Sequence, residues 1–311
     1  MCSQVFRKMS SNIHVSTAAR ACTPNPGDEG KRGNSITRTM SAADAFACLA
    51  TSVSSDAVRR AHALHLDADP EILHKLRVSL RRLRSLWWAY QPLLDRQDSE
   101  LQRGEFKSLA NAAGKTRDWD VLRDLLSAEQ SMHEFASLLE FVDEHRAAAL
   151  SFSRKTIGNA GVERIIERAL TGARHQLDLR AVSPTIDAFA RERVESAEKA
   201  LMKRVKRVAL QEGVGYATLH DVRIAGKKLR YLLEFFSPVL DGSHEDGIAR
   251  LTSVQDELGK LNDVVTSETL LREYSFQLGE PKTVEAAVGF LEELRKRHMR
   301  AAREILRRTT G

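Results

Sequence analysis

Between Glu71 and Asp95 the chain carries no acid, and the first part of that stretch holds His74, Lys75, Arg77, Arg81, Arg82 and Arg84. These are donors of positive charge and of hydrogen bonds. A guanidinium presents a planar fork to two oxygens of a phosphate or carboxylate, and an ammonium adds a mobile point charge. Neither serves as a nucleophile or acid–base pair without a partner of another kind, so the chemistry on offer is anion binding. Wound as a helix, His74, Arg77, Arg81, Arg84 and Trp88 fall on one stripe about 80° wide. Leu76, Leu80, Leu83 and Trp87 form a separate apolar stripe that can seat the helix on a core. A ladder of like charges costs a few tenths of a kcal/mol per i,i+4 pair, so an anion is expected to offset it.

The same stretch occurs twice. Residues 219–230, Leu-His-Asp-Val-Arg-Ile-Ala-Gly-Lys-Lys-Leu-Arg, overlay 73–84 without a gap at an offset of 146. His220, Arg223, Lys227 and Arg230 repeat the stripe of His74, Arg77, Arg81 and Arg84, Lys228 matches Arg82, and Val222, Leu229 and Leu233 repeat the apolar side. Residues 258–263, Leu-Gly-Lys-Leu-Asn-Asp, likewise overlay 113–118, Ala-Gly-Lys-Thr-Arg-Asp, at an offset of 145. Two linked matches in nearly constant register indicate a tandem duplication.

The surrounding elements read as helices throughout. Ser41 caps a first helix to about residue 65, with Asp44 three residues on. Asp69-Pro70 supplies an N-cap and a proline at the first helical position for the basic helix, which ends near Gln91-Pro92. Further helices are expected over 99–113, 117–129, 132–156, 162–179, 184–212, 218–239, 245–261, 263–278 and 282–308, with breaks at Gly114, Gly158 to Gly161 and Gly213 to Gly215. No segment has the alternation of a strand. The expected fold is all-α: two tandem four-helix-bundle-like halves, about 41–180 and 184–308, related by a pseudo-twofold axis that lets the two basic helices pool their charge.

Composition agrees with that class and narrows the function. The 311 residues are 42% hydrophobic and 29% charged, with 7 prolines and a net charge of +6. This suits a soluble helical protein with a polyanion partner. Cys2, Cys22 and Cys48 have no metal-ligand spacing and build no disulfide framework, which favours a reducing compartment. No stretch is long and apolar enough to span a membrane. Residues 1–40 read as a tail outside the domain; their acid-free first 27 residues, with Arg7, Lys8 and Arg20, leave a disordered basic tail and an organellar targeting peptide both open.

The pattern of His, Arg three residues on, and basic residues at +7, +8 and +10, occurring twice, resembles the CHAD domain (conserved histidine α-helical domain). The Gly114 to Leu122 segment resembles that family's second signature. The resemblance covers residues 41–308. It implies two four-helix bundles with pseudo-twofold symmetry, a basic central surface that binds inorganic polyphosphate and, for some members, association with polyphosphate bodies. Two departures stand out: Lys227 and Lys228 replace the Arg pair of the first copy, and Asn262 stands where the first copy has Arg117.

The reading that follows is non-enzymatic binding of inorganic polyphosphate through His74, Arg77, Arg81, Arg82, Arg84, His220, Arg223, Lys227, Lys228 and Arg230. Lys75, Arg117, Arg146 and Arg295 are secondary candidates. Stripe spacing puts successive heads about 4.5 to 6 Å apart along the helix axis, commensurate with one or two phosphate repeats. Each histidine lies within two turns of its helix start, where anions are favoured; a phosphate donor and a capping or core histidine are both open. Asp118 and Asp120 fit an orienting or capping role better than acid–base chemistry or metal binding. Arg154, Arg297 and Arg300, and the run Lys203, Arg204, Lys206 and Arg207, read as solvated faces. No catalytic motif, cofactor or metal site is indicated. The other readings are a basic helical nucleic-acid-binding protein, and an accessory module acting in trans with a triphosphate-hydrolysing enzyme. A cytoplasmic location is expected, at polyphosphate granules if the resemblance holds for location too.

Overall fold

A computed structural model describes residues 36–308, apart from 67–68, 129–133, 212 and 243–244. Its helices are α1 (Ala42–Leu66), α2 (Pro70–Tyr90), α3 (Arg96–Ala112), α4 (Lys115–Leu126), α5 (Ala136–Asn159), α6 (Val162–Asp178), α7 (Ile186–Leu210), α8 (Tyr216–Phe236), α9 (Glu245–Glu273) and α10 (Pro281–Arg308). Among the described residues there is no strand, only an isolated bridge between Ser41 and Thr185. The fold is all-α, as the periodicity predicts.

Local sequence sets the starts of these helices. The Ser41 hydroxyl accepts from the Asp44 amide at 3.0 Å and donates to its carboxylate at 2.7 Å. Asp69 accepts from the Glu71 amide at 2.9 Å ahead of Pro70, and Asp95 from the Asp98 amide at 2.9 Å. These bonds take up amides that a helix start leaves without an intrahelical partner. Residues 36–40, assigned above to the tail, belong to the packed structure. Ile36 is buried, and Arg38 donates to the Leu240 carbonyl at 2.9 Å and pairs with Asp241 at 2.5 Å. The rest of the proposed tail, including the question of targeting, lies outside the described residues.

Helices α7 to α10 repeat the order of α1, α2, α3 with α4, and α5; α6 has no counterpart. One element differs from expectation. The second copy was predicted to break near Asn262, but α9 runs unbroken from Glu245 to Glu273, while the first copy breaks between α3 and α4. The cause lies at Gly114. The Arg77 guanidinium rests on it, and a Cβ there would sit 1.5 Å from Nη1. Nη1 donates to the Ala110 carbonyl at 3.1 Å, while the Gly114 amide turns to the Asn111 carbonyl at 3.0 Å. The arginine thus occupies the carbonyl that a continuous helix would have used. A Cβ at Gly259, the equivalent position, meets nothing within 4 Å.

The halves share their cores instead of owning one each. The larger core holds Phe46 of α1, Trp87 and Tyr90 of α2, Phe106 of α3, Phe189 of α7 and Phe236 of α8. Tyr90 and Phe189, from different halves, have ring centroids 4.9 Å apart. A second core is built by Trp119 and Leu122 of α4, Phe135 at the start of α5 and Leu138 within it, Val264 and Leu271 of α9, and Val284 and Leu291 of α10. Across the shared interior α2 packs directly on α8. The two basic helices are therefore neighbours.

Candidate functional site

The apolar stripe of α2 is buried as expected: Leu76, Leu80, Leu83 and Trp87 are fully enclosed, and in α8 Val222, Leu229 and Leu233 do the same. With those faces in the core, the basic stripes are held against each other at the α2–α8 contact. Arg77 feels the charges of Arg81, Arg117, Asp118 and Asp263. Arg223, on the other helix, feels Arg81, Arg77 and Asp263, and Lys227 feels Arg81, Arg223, Arg230 and Asp263. Arg77, Arg81, Arg223 and Lys227 thus make one group contributed by both copies.

Burial and mutual repulsion act together on this group. Burial, then Arg81, pushes the Arg77 and Arg223 guanidiniums below their ordinary range. Burial, then Arg81 and Arg223, lowers the Lys227 ammonium to about 6. An arginine keeps its proton throughout, so the shifts express how poorly the charges are solvated where they sit. An arriving anion relieves both effects. Asp118 and Asp263, equivalent residues of the two copies, are the carboxylates that bear on the group. Burial raises the Asp118 carboxyl against the pull of Arg77 and Lys115. Asp120 turns away to pair with Arg146, so the two aspartates of the first copy do not act as a pair.

The histidines flank the group differently. Burial lowers both pKa values, and neighbouring cations add to it: Arg117, Arg77 and Arg81 at His74, Arg223 and Lys227 at His220. His74 keeps its Nδ1 enclosed without a hydrogen-bond partner among the described residues. His220 Nδ1 lies 3.1 Å from the Tyr216 hydroxyl, which donates to Asn262 Oδ1 at 3.2 Å. Asn262 also hydrogen-bonds to the imidazole itself, so Tyr216 and Asn262 together hold the ring. Repeat matching missed Tyr216, because its counterpart is Pro70, and Asn262 because it replaces an arginine.

The remaining predicted residues divide. Arg117 is exposed and bears on His74 and Arg77, so it joins the group. Arg82 is half-buried with its Nε unpartnered. Arg230 borders Lys227 and pairs with Glu234 at 3.3 Å. Arg84 and Lys228 lie toward Trp88, beside Arg103. Three secondary candidates are engaged within the protein: Lys75 with Glu71 at 3.8 Å, Arg146 with Asp120, and Arg295 with the buried Glu268 at 3.1 Å. Lys203, Lys206 and Arg207 are exposed, as a solvated face should be, while Arg204 is half-buried near Lys228.

Comparison with known families gives a match to the CHAD domain over residues 52–272, more than half of the sequence. The chain belongs to the CHAD family. Among solved structures it is similar to the crystal structure of the CHAD domain from the plant Ricinus communis, with a TM-score of 0.75 and 25% identity over 87% of this chain and 93% of that one. It also shares its fold with PptA from Streptomyces chartreusis, at a TM-score of 0.64 and 20% identity over 87% of this chain and 99% of that one. Comparison with curated proteins finds no match. The CHAD match spans both basic helices and both Gly-Lys segments, the residues on which the resemblance rested. Among the described residues of this CHAD chain, no helix is long and apolar enough to cross a membrane.

Proposed function

We propose that this protein binds inorganic polyphosphate without turning it over, through the group formed by Arg77, Arg81, Arg223 and Lys227 and flanked by His74, His220 and Arg117. The observation that carries this reading is the convergence of poorly solvated cations from two packed helices, with Asp118 and Asp263 as the carboxylates acting on them. Membership of the CHAD family, a family linked to polyphosphate, points the same way. Polyphosphate suits such a site because it carries charge on every phosphate and has no base or sugar to read. Its repeat matches the spacing of heads along each helix, and it is flexible enough to cross from α2 to α8. Attachment to polyphosphate bodies would follow from that affinity.

The test compares long-chain polyphosphate, tripolyphosphate, single-stranded RNA and duplex DNA at one physiological salt concentration. Polyphosphate is expected to bind most tightly; equal or tighter binding of RNA or DNA would overturn the reading in favour of a nucleic-acid partner. Replacing Arg77, Arg81, Arg223 and Lys227 with Ala should remove several kcal/mol of affinity, at about 1.5 to 3 kcal/mol per charged hydrogen bond. Incubation with tripolyphosphate, with and without divalent metal, should release no orthophosphate. Release would replace binding by hydrolysis, and faster release by an added triphosphatase when this protein is present would support an accessory role in trans.

A further inference from the structure

Trp88 closes the α2 stripe, and its surroundings are not explained by the central group. Arg193 of α7 and Lys228 of α8 lie over its ring, 4.9 and 4.8 Å from the centroid. Arg193 also donates to the Trp88 carbonyl at 3.2 Å. Lys228 feels four further cations: Arg103 of α3, Arg204 of α7, Arg84 of α2, and Arg193 itself. Five cations from four helices therefore gather at the Trp88 end of α2, two of them over its indole. Among the described residues none of the five has a carboxylate oxygen within 4.0 Å; Glu100 and Glu192 act on Arg103 and Arg193 only from farther away. The Nε atoms of Arg103 and Arg193 are enclosed and lack a hydrogen-bond partner. Arg204 spends one donor on its own helix, at the Ala200 carbonyl, 2.8 Å away.

The duplicated half does not repeat this arrangement. Glu234 stands where the first copy has Trp88, and it pairs with Arg230, the counterpart of Arg84, at 3.3 Å. Under the offset of 144 that separates the first residues of α1 and α7, Arg60 corresponds to Arg204 and Asp56 to Ala200. Asp56 pairs with Arg60 at 3.3 Å, and Leu49 takes the place of Arg193. One end of the site is neutralised by its own carboxylates and the other is left cationic. Uncompensated convergence of like charge is unfavourable unless an anion joins it.

We propose that Arg84, Arg103, Arg193, Arg204 and Lys228 form a second phosphate subsite at the Trp88 end alone, which carries a polyphosphate chain onward from the central group. The proposal rests on the polyphosphate reading above and adds that the chain extends toward α3 and α7 and not toward Glu234. Arg84 is the link, since it feels both Arg81 of the centre and Arg103 of the cluster. The indole serves as a seat for two cations, an arrangement suited to phosphate without bases.

The experiment measures affinity for tripolyphosphate and for long-chain polyphosphate with the full chain, with Arg103→Gln/Arg204→Gln, and with Arg60→Gln. The double variant is expected to lose about tenfold on the long chain while tripolyphosphate, held by the centre, changes less than about twofold. Its salt dependence for the long chain should flatten by about one to two in log–log slope. It should also melt no lower than the parent, because removing uncompensated charge relieves repulsion. Arg60→Gln should bind both ligands as the parent does. No loss on the long chain, equal loss on both ligands, or an equal loss in Arg60→Gln would each overturn the one-ended subsite while leaving the central reading intact. Failure of the unaltered protein to bind either ligand would overturn both. Should the double variant not fold, the single Arg204→Gln substitution carries the same comparison.

Discussion

Lys227 concentrates the physics of this site in one side chain. Its pKa in the folded protein, about 6, lies below the 10.5 of an unburied lysine, so the unfolded chain binds the proton more readily. Stability of the unliganded protein should therefore rise with pH between about 6 and 10.5 and gain nothing further above that window. Lys227→Met should raise the melting temperature at pH 7 by several degrees. It should also weaken polyphosphate binding, a trade that calorimetry and a thermal melt check together. A bound anion restores the charge, so binding at pH 7 should take up about one proton, measurable by titration calorimetry in buffers of different ionisation enthalpy. The uptake should fall in Lys227→Met to the smaller share taken by the histidines. His74 and His220 carry the same sign: their pKa values lie below 6.5 when free and rise beside an anion. Affinity should then increase as pH falls through the bound-state values, and His74→Gln with His220→Gln should flatten that rise. The residue types and their register were legible in the sequence, because a helical stripe is a local property. The Lys227 shift was not, since it needs burial in the folded chain and then Arg81 from the other basic helix.

The contrast between Gly114 and Gly259 belongs to the scale of the element. Both stand in the repeated Gly-Lys segment, yet one breaks a helix and the other lies within one. Gly114→Ala would drive a Cβ into the Arg77 guanidinium, the far end of a flexible side chain, which must swing away and give up its hydrogen bond to the Ala110 carbonyl, a modest loss of about 1 kcal/mol. Because it dislodges a site arginine, it should also weaken polyphosphate binding without removing any charge. Gly259→Ala, facing open space within α9, should instead stabilise the protein by up to about 1 kcal/mol and leave affinity unchanged. Thermal melts and binding isotherms of the two variants check the pair. The sequence showed two equivalent glycines and predicted a break in each copy, at Gly114 and near Asn262. What separates them is the hydrogen bond from Arg77 to the Ala110 carbonyl, a contact between α2 and α3 that periodicity does not encode.

For the molecule as a whole, the interleaved cores matter most. Trp119, Leu122 and Phe135 of the first copy bury themselves against Val264, Leu271 and Leu291 of the second. A chain ending at residue 180 should therefore lack a cooperative thermal transition and native near-ultraviolet circular dichroism, whereas the full chain should unfold in one step. The same interleaving sets α2 on α8, so folding and assembly of the site are one event.

The sequence by itself determined the all-helical class, the two basic stripes with their in-register match, and the family resemblance. All of these follow from composition, from a 3.6-residue period and from matches along one dimension. Only the tertiary structure decided which charges meet. It joined Arg77 and Arg81 to Arg223 and Lys227, gave His220 its Asn262 partner, and engaged Arg146 and Arg295 with acids on other helices. It also brought Arg103, Arg193 and Arg204 to bear on Lys228 at the Trp88 end of α2, residues with no repeat to mark them. The reason is physical: charge acts through space, and the distances between helices are set by how apolar faces pack, not by their order in the chain.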